Sequence, residues 1–195
     1  MSIQLEIPPA FAPYQSLQNP EIVDRYAQAT ATLDRRLLEL SDAQLDTCFR
    51  PEAQIGRWSC RILLGHVADA DLVFTHRMRK IVGEDRPILQ PWDENAFIDA
   101  GLYAGERGGA DRPIAGHIAM IHTLRLWTAD WLRTLGTADW ERVGLHPERG
   151  EQSVRVIMNY ATWHFDHHVW YLHKKIEKFL GPRAPAASAQ PGSAH

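Results

Sequence analysis

The chain has 195 residues, 45% of them hydrophobic and 23% charged, which is ordinary for a soluble globular protein. Its net charge is −3 and it has no basic cluster, so nucleic acid and anionic membranes are not favoured partners. No apolar run is long enough to span a membrane and the N-terminus lacks a signal-peptide pattern, so we expect a cytoplasmic protein with reduced cysteines at Cys48 and Cys60.

Residues 1–180 are predicted to form a single domain, because this length can bury a sizeable core. Residues 1–18 carry several prolines among scattered apolar residues, and we expect them to form a strap on the domain surface. Residues 181–195 are rich in Pro, Ala and Ser and cannot bury enough apolar surface to fold, so they are predicted to be a disordered tail.

The first helix is predicted to begin at Pro20 and to run to about Leu40. Asn19 is a good capping residue, Pro20 suits the first turn, and the acid that follows suits the positive end of the helix dipole. Ser41 and Gln44 then have the spacing of a capping box, which predicts a second, short helical turn.

A second long helix is predicted from Trp58 to about Val82, closed by Gly83. Residues 83–112 form a long connection that contains Trp92, Phe97 and Tyr103, and aromatic residues in such a loop indicate a packed lid or an interface. The pair Gly108-Gly109 lacks the Lys-Ser/Thr of a phosphate loop, which excludes that motif.

The third helix is predicted from Pro113 to Leu135 and the fourth from Glu151 to Leu180, where Gly181-Pro182 stops it. No segment alternates apolar and polar residues for long enough to indicate a strand. The sequence therefore predicts an all-α protein in which four main helices pack as a bundle.

Three histidines, His66, His164 and His168, occupy core-facing positions of the second and fourth helices. His164 and His168 are four residues apart, which places their Cβ atoms about 5–6 Å apart on one helix face. Buried imidazoles are costly unless each finds a partner, and a transition metal is such a partner. Three protein ligands would leave one position open for water or substrate.

Alternatives remain for these and the neighbouring residues. A histidine on an apolar face is often a hydrogen-bonded core residue without metal, and His164 could instead chelate with His167. Asp69 and Asp166 are candidates to orient a ligand imidazole, or are exposed helix acids. His117 is a candidate fourth ligand or a helix-end residue. The other histidines are predicted at solvent-side, supporting or local-turn positions: His76, His122, His146 and His173.

Four short segments also carry a family resemblance: WS at 58–59, GHVADA at 65–70, HPERG at 146–150, and a Tyr160 followed by WHFDHH at 163–168. Together they resemble the DinB superfamily, especially its YfiT-like branch, over about residues 20–180. The resemblance implies a four-helix bundle of up-down-down-up topology that is usually dimeric. It also implies a divalent metal held by His66, His164 and His168.

The same resemblance implies a hydrolase or a thiol S-transferase that uses bacillithiol, mycothiol or glutathione. We therefore expect a metal-dependent enzyme acting on a small molecule, with zinc, nickel or iron at the site and a homodimeric assembly. The alternative is a non-catalytic metal-binding bundle with a structural or stress-response role. Because ligation needs neutral imidazole, metal affinity is expected to weaken as the pH falls through about 6.5.

Overall fold

The computed structural model describes residues 7–104 and 113–183. Its architecture is a bundle of four main helices: α1 (Asn19–Gln28), α2 (Cys60–Gly83), α3 (Ala115–Leu132) and α4 (Val154–Leu180). Helix α2 packs against both α3 and α4, and α1 packs against the same two helices from the other side. In the described part of the chain, no helix is long and apolar enough to cross a membrane.

Helix α1 is shorter than predicted, because the α-helix ends at Gln28 rather than near Leu40. Two 3-10 helices, Ala29–Thr32 and Arg35–Glu39, follow it. Asp34 caps the second of these: its carboxylate accepts the backbone N–H of Arg36 at 3.0 Å and also pairs with that residue's guanidinium. A side chain that caps a new helical turn favours a break in the preceding helix.

Helix α2 has nearly the predicted bounds because its ends carry clear signals. Ser59 precedes it and accepts the backbone N–H of Ile62, which satisfies one of the free donors of the first turn. The short helix Asp42–Leu45 also forms as predicted, with both hydrogen bonds of the capping box between Ser41 and Gln44.

Helix α4 begins at Val154, three residues later than predicted, because the chain before it forms a β-hairpin. Strand β1 (Val143–His146) pairs antiparallel with β2 (Gly150–Ser153). Gly150 has a φ of +70°, which glycine adopts without strain, and it begins β2. Periodicity did not indicate these two strands, because four residues each are too few to show alternation.

Helix α3 spans Ala115–Leu132, within the predicted range, and shorter helices occupy the connections. These are Ala12–Gln15, Pro51–Ala53 (3-10), Glu94–Asp99 and Thr137–Trp140.

The N-terminal strap lies on α4 over its described residues 7–18. The Tyr14 hydroxyl donates to Asp166 at 2.8 Å, and the Trp163 indole donates to the Pro9 carbonyl at 2.8 Å. Residues 1–6, the diglycine Gly108-Gly109 and residues 184–195 of the predicted tail lie outside the described residues.

A buried ion pair joins three of the helices. Asp71 of α2 accepts two hydrogen bonds from Arg125 of α3, at 2.6 and 2.8 Å, and both side chains are fully buried. Arg125 also donates to the Ala161 carbonyl of α4, and its guanidinium lies between the rings of Tyr26 and Phe165. Sequence periodicity gave no sign of this pair, because each residue alone resembles a surface charge.

Candidate metal centre

The structure brings together the three histidines that the sequence singled out. His66 projects from α2, and His164 and His168 project from adjacent turns of α4. The Nε2 atom of His164 lies 3.0 Å from Nε2 of His66 and 3.1 Å from Nε2 of His168. All three side chains are buried, and they can offer ligand atoms that lie within 4.8 Å of one another.

This arrangement fits a metal ion better than it fits hydrogen bonding. A ring nitrogen carries either one proton or one lone pair, so Nε2 of His164 cannot donate to one neighbour and accept from the other. A cation held by three lone pairs would satisfy all three atoms. Zinc–nitrogen bonds of about 2.0–2.1 Å in a tetrahedron separate the nitrogens by about 3.3 Å, close to the spacing found here.

Burial also puts the imidazoles in the form that binds metal. It lowers the pKa of His66 to about 4, against the opposing influence of the Glu94 charge. It lowers the pKa of His164 and His168 well below their usual range, and the proximity of the other histidines lowers both further. All three rings are therefore neutral near pH 7, and a neutral imidazole has a free lone pair for a metal.

The rings are held in place by packing. Their Nδ1 atoms are buried and have no hydrogen-bond partner among the described residues. Trp92 stacks on His66 with ring centroids 5.5 Å apart, Tyr160 stacks on His164 at 5.9 Å, and Trp58 stacks on His168 at 6.0 Å.

Neither predicted carboxylate makes a hydrogen bond with a candidate ligand imidazole. Asp69 instead accepts the Tyr103 hydroxyl at 2.7 Å, which ties the α2–α3 connection to α2. Asp166 accepts hydrogen bonds from Tyr14 and Arg25 and so anchors the N-terminal strap. Both acids have a structural partner elsewhere, which spacing along one helix could not reveal.

The remaining described histidines do not join the converging group. His117, the candidate fourth ligand, is not part of the histidine cluster found in the described residues. His76 and His122 are exposed, as predicted, and His173 contacts the Thr32 carbonyl at 3.0 Å. His167 is half-buried beside Trp163, and it borders the site without joining it.

A cavity of about 230 Å³ lies beside the three imidazoles. Aromatic side chains form part of its wall, including Trp92 and Trp163. It also has charged and polar residues that sequence reasoning missed, because they come from three separate segments with no motif spacing: Arg77, Glu94, His146, Glu148 and Arg149. Only the HPERG segment pointed to part of this group.

Comparison with known proteins assigns the chain to a family. The family model of the DinB superfamily matches residues 9–172. The chain belongs to the DinB superfamily. This match covers most of the four-helix bundle and includes all three converging histidines.

Relatives of this DinB-superfamily chain include two bacterial proteins, each named "Putative metal-dependent hydrolase". The protein from Oceanobacillus iheyensis is 28% identical over 140 residues, which covers 72% of this chain and 75% of the relative. The protein from Bacillus mycoides is 26% identical over 156 residues, with coverage of 78% and 84%. Among solved structures, YfiT from Bacillus subtilis matches with a TM-score of 0.70 at 24% identity, covering 84% of this chain and 88% of YfiT. That likeness shows the same four-helix bundle fold.

A second cavity, of about 250 Å³, shares Trp58, His167 and His168 with the first. Its wall is mostly apolar and includes the buried Lys175, whose ammonium group donates to the carbonyls of Ile55 and Gly56. Burial lowers the pKa of Lys175 to about 8. His168 therefore borders both cavities, whereas His66 and His164 border only the first.

Proposed function

We propose that this chain binds a divalent transition metal through His66, His164 and His168 and hydrolyses a small molecule held in the aromatic cavity. The observation that carries the proposal is the convergence of three buried, neutral imidazoles on one point between α2 and α4. The names of the bacterial relatives support hydrolysis as the reaction. Zinc, nickel and iron are the candidate ions.

An ion of this class with an open coordination position supplies Lewis acidity, which makes a water or thiol more acidic and polarises the bond to be broken. The chain itself supplies position and shelter. The imidazoles would hold the ion at the cavity wall, and the aromatic side chains would orient the apolar part of a substrate.

Glu94 is the residue to which we assign proton transfer. It lines the cavity, and its charge is felt by His66, where it opposes the effect of burial. A half-buried carboxylate in that position can take a proton from the attacking nucleophile.

Elemental analysis tests the metal site directly. Protein purified without a metal-affinity column should retain a stoichiometric transition metal, and His66→Ala, His164→Ala and His168→Ala should each lose it. His122→Ala is the matched control, because this histidine is exposed on α3 and contacts Thr30. Equal metal content in wild type and His66→Ala would refute the proposed ligands.

A Glu94→Gln variant tests the proton-transfer role. Its kcat for a chromogenic aryl ester should fall by roughly 10²–10⁴-fold, because a positioned general base contributes about that factor. Its metal content should be unchanged. Asp99→Asn is the control, since this exposed acid ends the same short helix. An undiminished kcat in Glu94→Gln would assign proton transfer elsewhere.

The second cavity favours a second candidate, a thiol S-transferase. Two cavities that share Trp58, His167 and His168 could hold a thiol and an electrophile next to each other. Bacillithiol, mycothiol and glutathione are the thiols to assay, by loss of free thiol in the presence of an alkylating electrophile.

We also propose that the chain is a cytoplasmic homodimer, and light scattering would measure the assembly.

A further inference from the structure

Arg77 differs from the other buried arginines described in the structure. Arg61 pairs with Asp42 at 2.7 Å, and Arg125 pairs with Asp71 at 2.6 Å. Arg77 is 8% exposed, yet no carboxylate among the described residues lies within 4.0 Å of its guanidinium. A buried charge without a counter-ion is costly, so its retention needs a reason.

The hydrogen bonds of Arg77 do not satisfy all of the N–H donors of its guanidinium. One terminal nitrogen donates to the Gln90 carbonyl at 2.7 Å. The Nε atom is buried and has no hydrogen-bond partner among the described residues. A guanidinium has five N–H donors in a planar fork and no acceptor, so an oxyanion is the partner that it matches best.

Two further donors line the same cavity. His146 accepts the backbone N–H of Glu148 on Nδ1, so its neutral ring carries its proton on Nε2, and Nε2 has no hydrogen-bond partner in the described chain. Arg149 is exposed and also lines the cavity. Two acids, Glu94 and Glu148, line the same cavity and match the two guanidiniums in number, so the case for an anion rests on the unpaired N–H donors of Arg77 and not on an excess of charge.

We propose that Arg77, assisted by His146 and Arg149, binds an oxyanion group of the substrate, a carboxylate or a phosphate. The substrate is then a small acid with an apolar or aromatic body, since Trp92, Tyr160 and Trp163 line the same cavity as this donor group. This substrate class rests on the proposed function, but the binding of the anion can be measured without turnover.

The test compares three ligands of similar shape: benzoate, phenyl phosphate and the neutral benzamide. Calorimetry on the full chain, both stripped with EDTA and loaded with zinc, should show an acid binding about tenfold or more tightly than benzamide, as for hydrogen bonds to a charged group. The acid that binds more tightly identifies the group. Arg77→Gln should abolish the preference and keep the metal content.

Arg79→Gln is the matched control and should keep the preference, because Arg79 is exposed on the same helix and stacks on Trp127. An unchanged preference in folded Arg77→Gln would overturn the proposal, as would equal binding of acid and amide to wild type. If Arg77→Gln does not fold, NMR of the wild-type Arg77 Nε–H decides: its resonance should shift with benzoate and not with benzamide, and an unmoved resonance overturns the proposal. A chain that prefers the acid but binds no metal would refute the proposed hydrolysis alone.

Discussion

The orientation of His66, His164 and His168 depends on aromatic stacking, because their Nδ1 atoms have no hydrogen-bond partner in the described chain. In most metal sites a hydrogen bond to the second ring nitrogen fixes a ligand histidine. Here the rings of Trp58, Trp92 and Tyr160 fix the orientation of the imidazoles instead. Substitution of these aromatic residues, which would not contact the metal, should therefore still alter metal affinity.

Removing one stacked ring tests this dependence. Trp92→Ala should weaken metal binding by roughly 10-fold, the lower end of the effect of losing a group that supports a ligand. The loss follows because His66 would gain rotational freedom. Trp127→Ala is the control, as Trp127 is half-exposed away from the cavity. A competition titration against a chromogenic chelator measures both variants, and an unchanged affinity in Trp92→Ala would mean that the stacking is incidental.

The buried Asp71–Arg125 pair should dominate the charge contributions to stability. Asp71→Asn removes the counter-ion of a fully buried guanidinium, and the free energy of unfolding should fall by about 3–5 kcal/mol. Asp130→Asn removes an exposed partner of Arg133 and should change it by less than about 1 kcal/mol. Urea unfolding monitored by circular dichroism measures both. Similar decreases in the free energy of unfolding of the two variants would contradict the prediction that the buried pair contributes more to stability.

Among the elements, the connection between α2 and α3 shapes one side of the site. Its residue Tyr103 packs onto Gly65, immediately before His66, and Trp92 lies on the His66 ring. Glycine permits this approach because a Cβ atom at position 65 would lie 2.5 Å from Cδ1 of Tyr103. The described part of this segment is thus packed on α2, as expected of either a lid or an interface.

A Gly65→Ala variant should be destabilised by about 1–3 kcal/mol, the usual cost of overpacking a core. The added methyl group must displace the Tyr103 ring and with it the segment that covers His66. Gly116→Ala is the control: no described atom lies within 4 Å of a Cβ there, and alanine is favoured over glycine in a helix. Thermal unfolding compares the two, and equal midpoints would show that the contact is not tight.

The success of sequence reasoning varied with the element. Helices α2 and α4 end at or within a residue of their predicted stops, because Gly83 and Gly181 are local signals. The break after Gln28 escaped prediction, since the capping role of Asp34 competes with a continuous apolar stripe. The hairpin before α4 escaped for another reason: its register depends on pairing and a turn at Gly150, which periodicity does not report.

At the scale of the whole molecule, one part of the candidate site could be predicted from the sequence and another part could not. Helical periodicity placed His66, His164 and His168 on buried faces, and packing α2 against α4 then brought them together. Arg77 and Glu94 could not be predicted, because their part in the cavity depends on how the connections fold over the bundle. The buried face of a long helix can be read from the spacing of its own residues, whereas the position of a loop depends on how the helices pack.

Burial of the histidines should make the stability of the metal-free protein depend on pH. The pKa of His66 is about 4 in the folded chain against an ordinary 6.5, so between these values the unfolded chain binds more protons. The stabilisation is complete above pH 6.5 and is lost as the pH falls toward 4. The urea midpoint should therefore be lower at about pH 5.5 than at about pH 7.5.

His66→Gln should show a shallower dependence, and His122→Asn should follow wild type. A pH-independent midpoint in wild type would contradict neutral burial. The same shift moves the expected loss of metal affinity below the pH of about 6.5 that applies to an exposed histidine, because folded protein keeps the imidazoles unprotonated.

The indole rings around the site give the protein an optical reporter of its own. Trp58 and Trp92 have ring centroids 5.1 and 5.5 Å from the His66 ring. Nickel or iron bound by that imidazole would quench their emission at such short range, whereas zinc, with a filled d shell, would not. Tryptophan emission of the unlabelled protein would thus separate an open-shell ion from zinc, above the emission of Trp127, which is 52% exposed and outside the cavity lining.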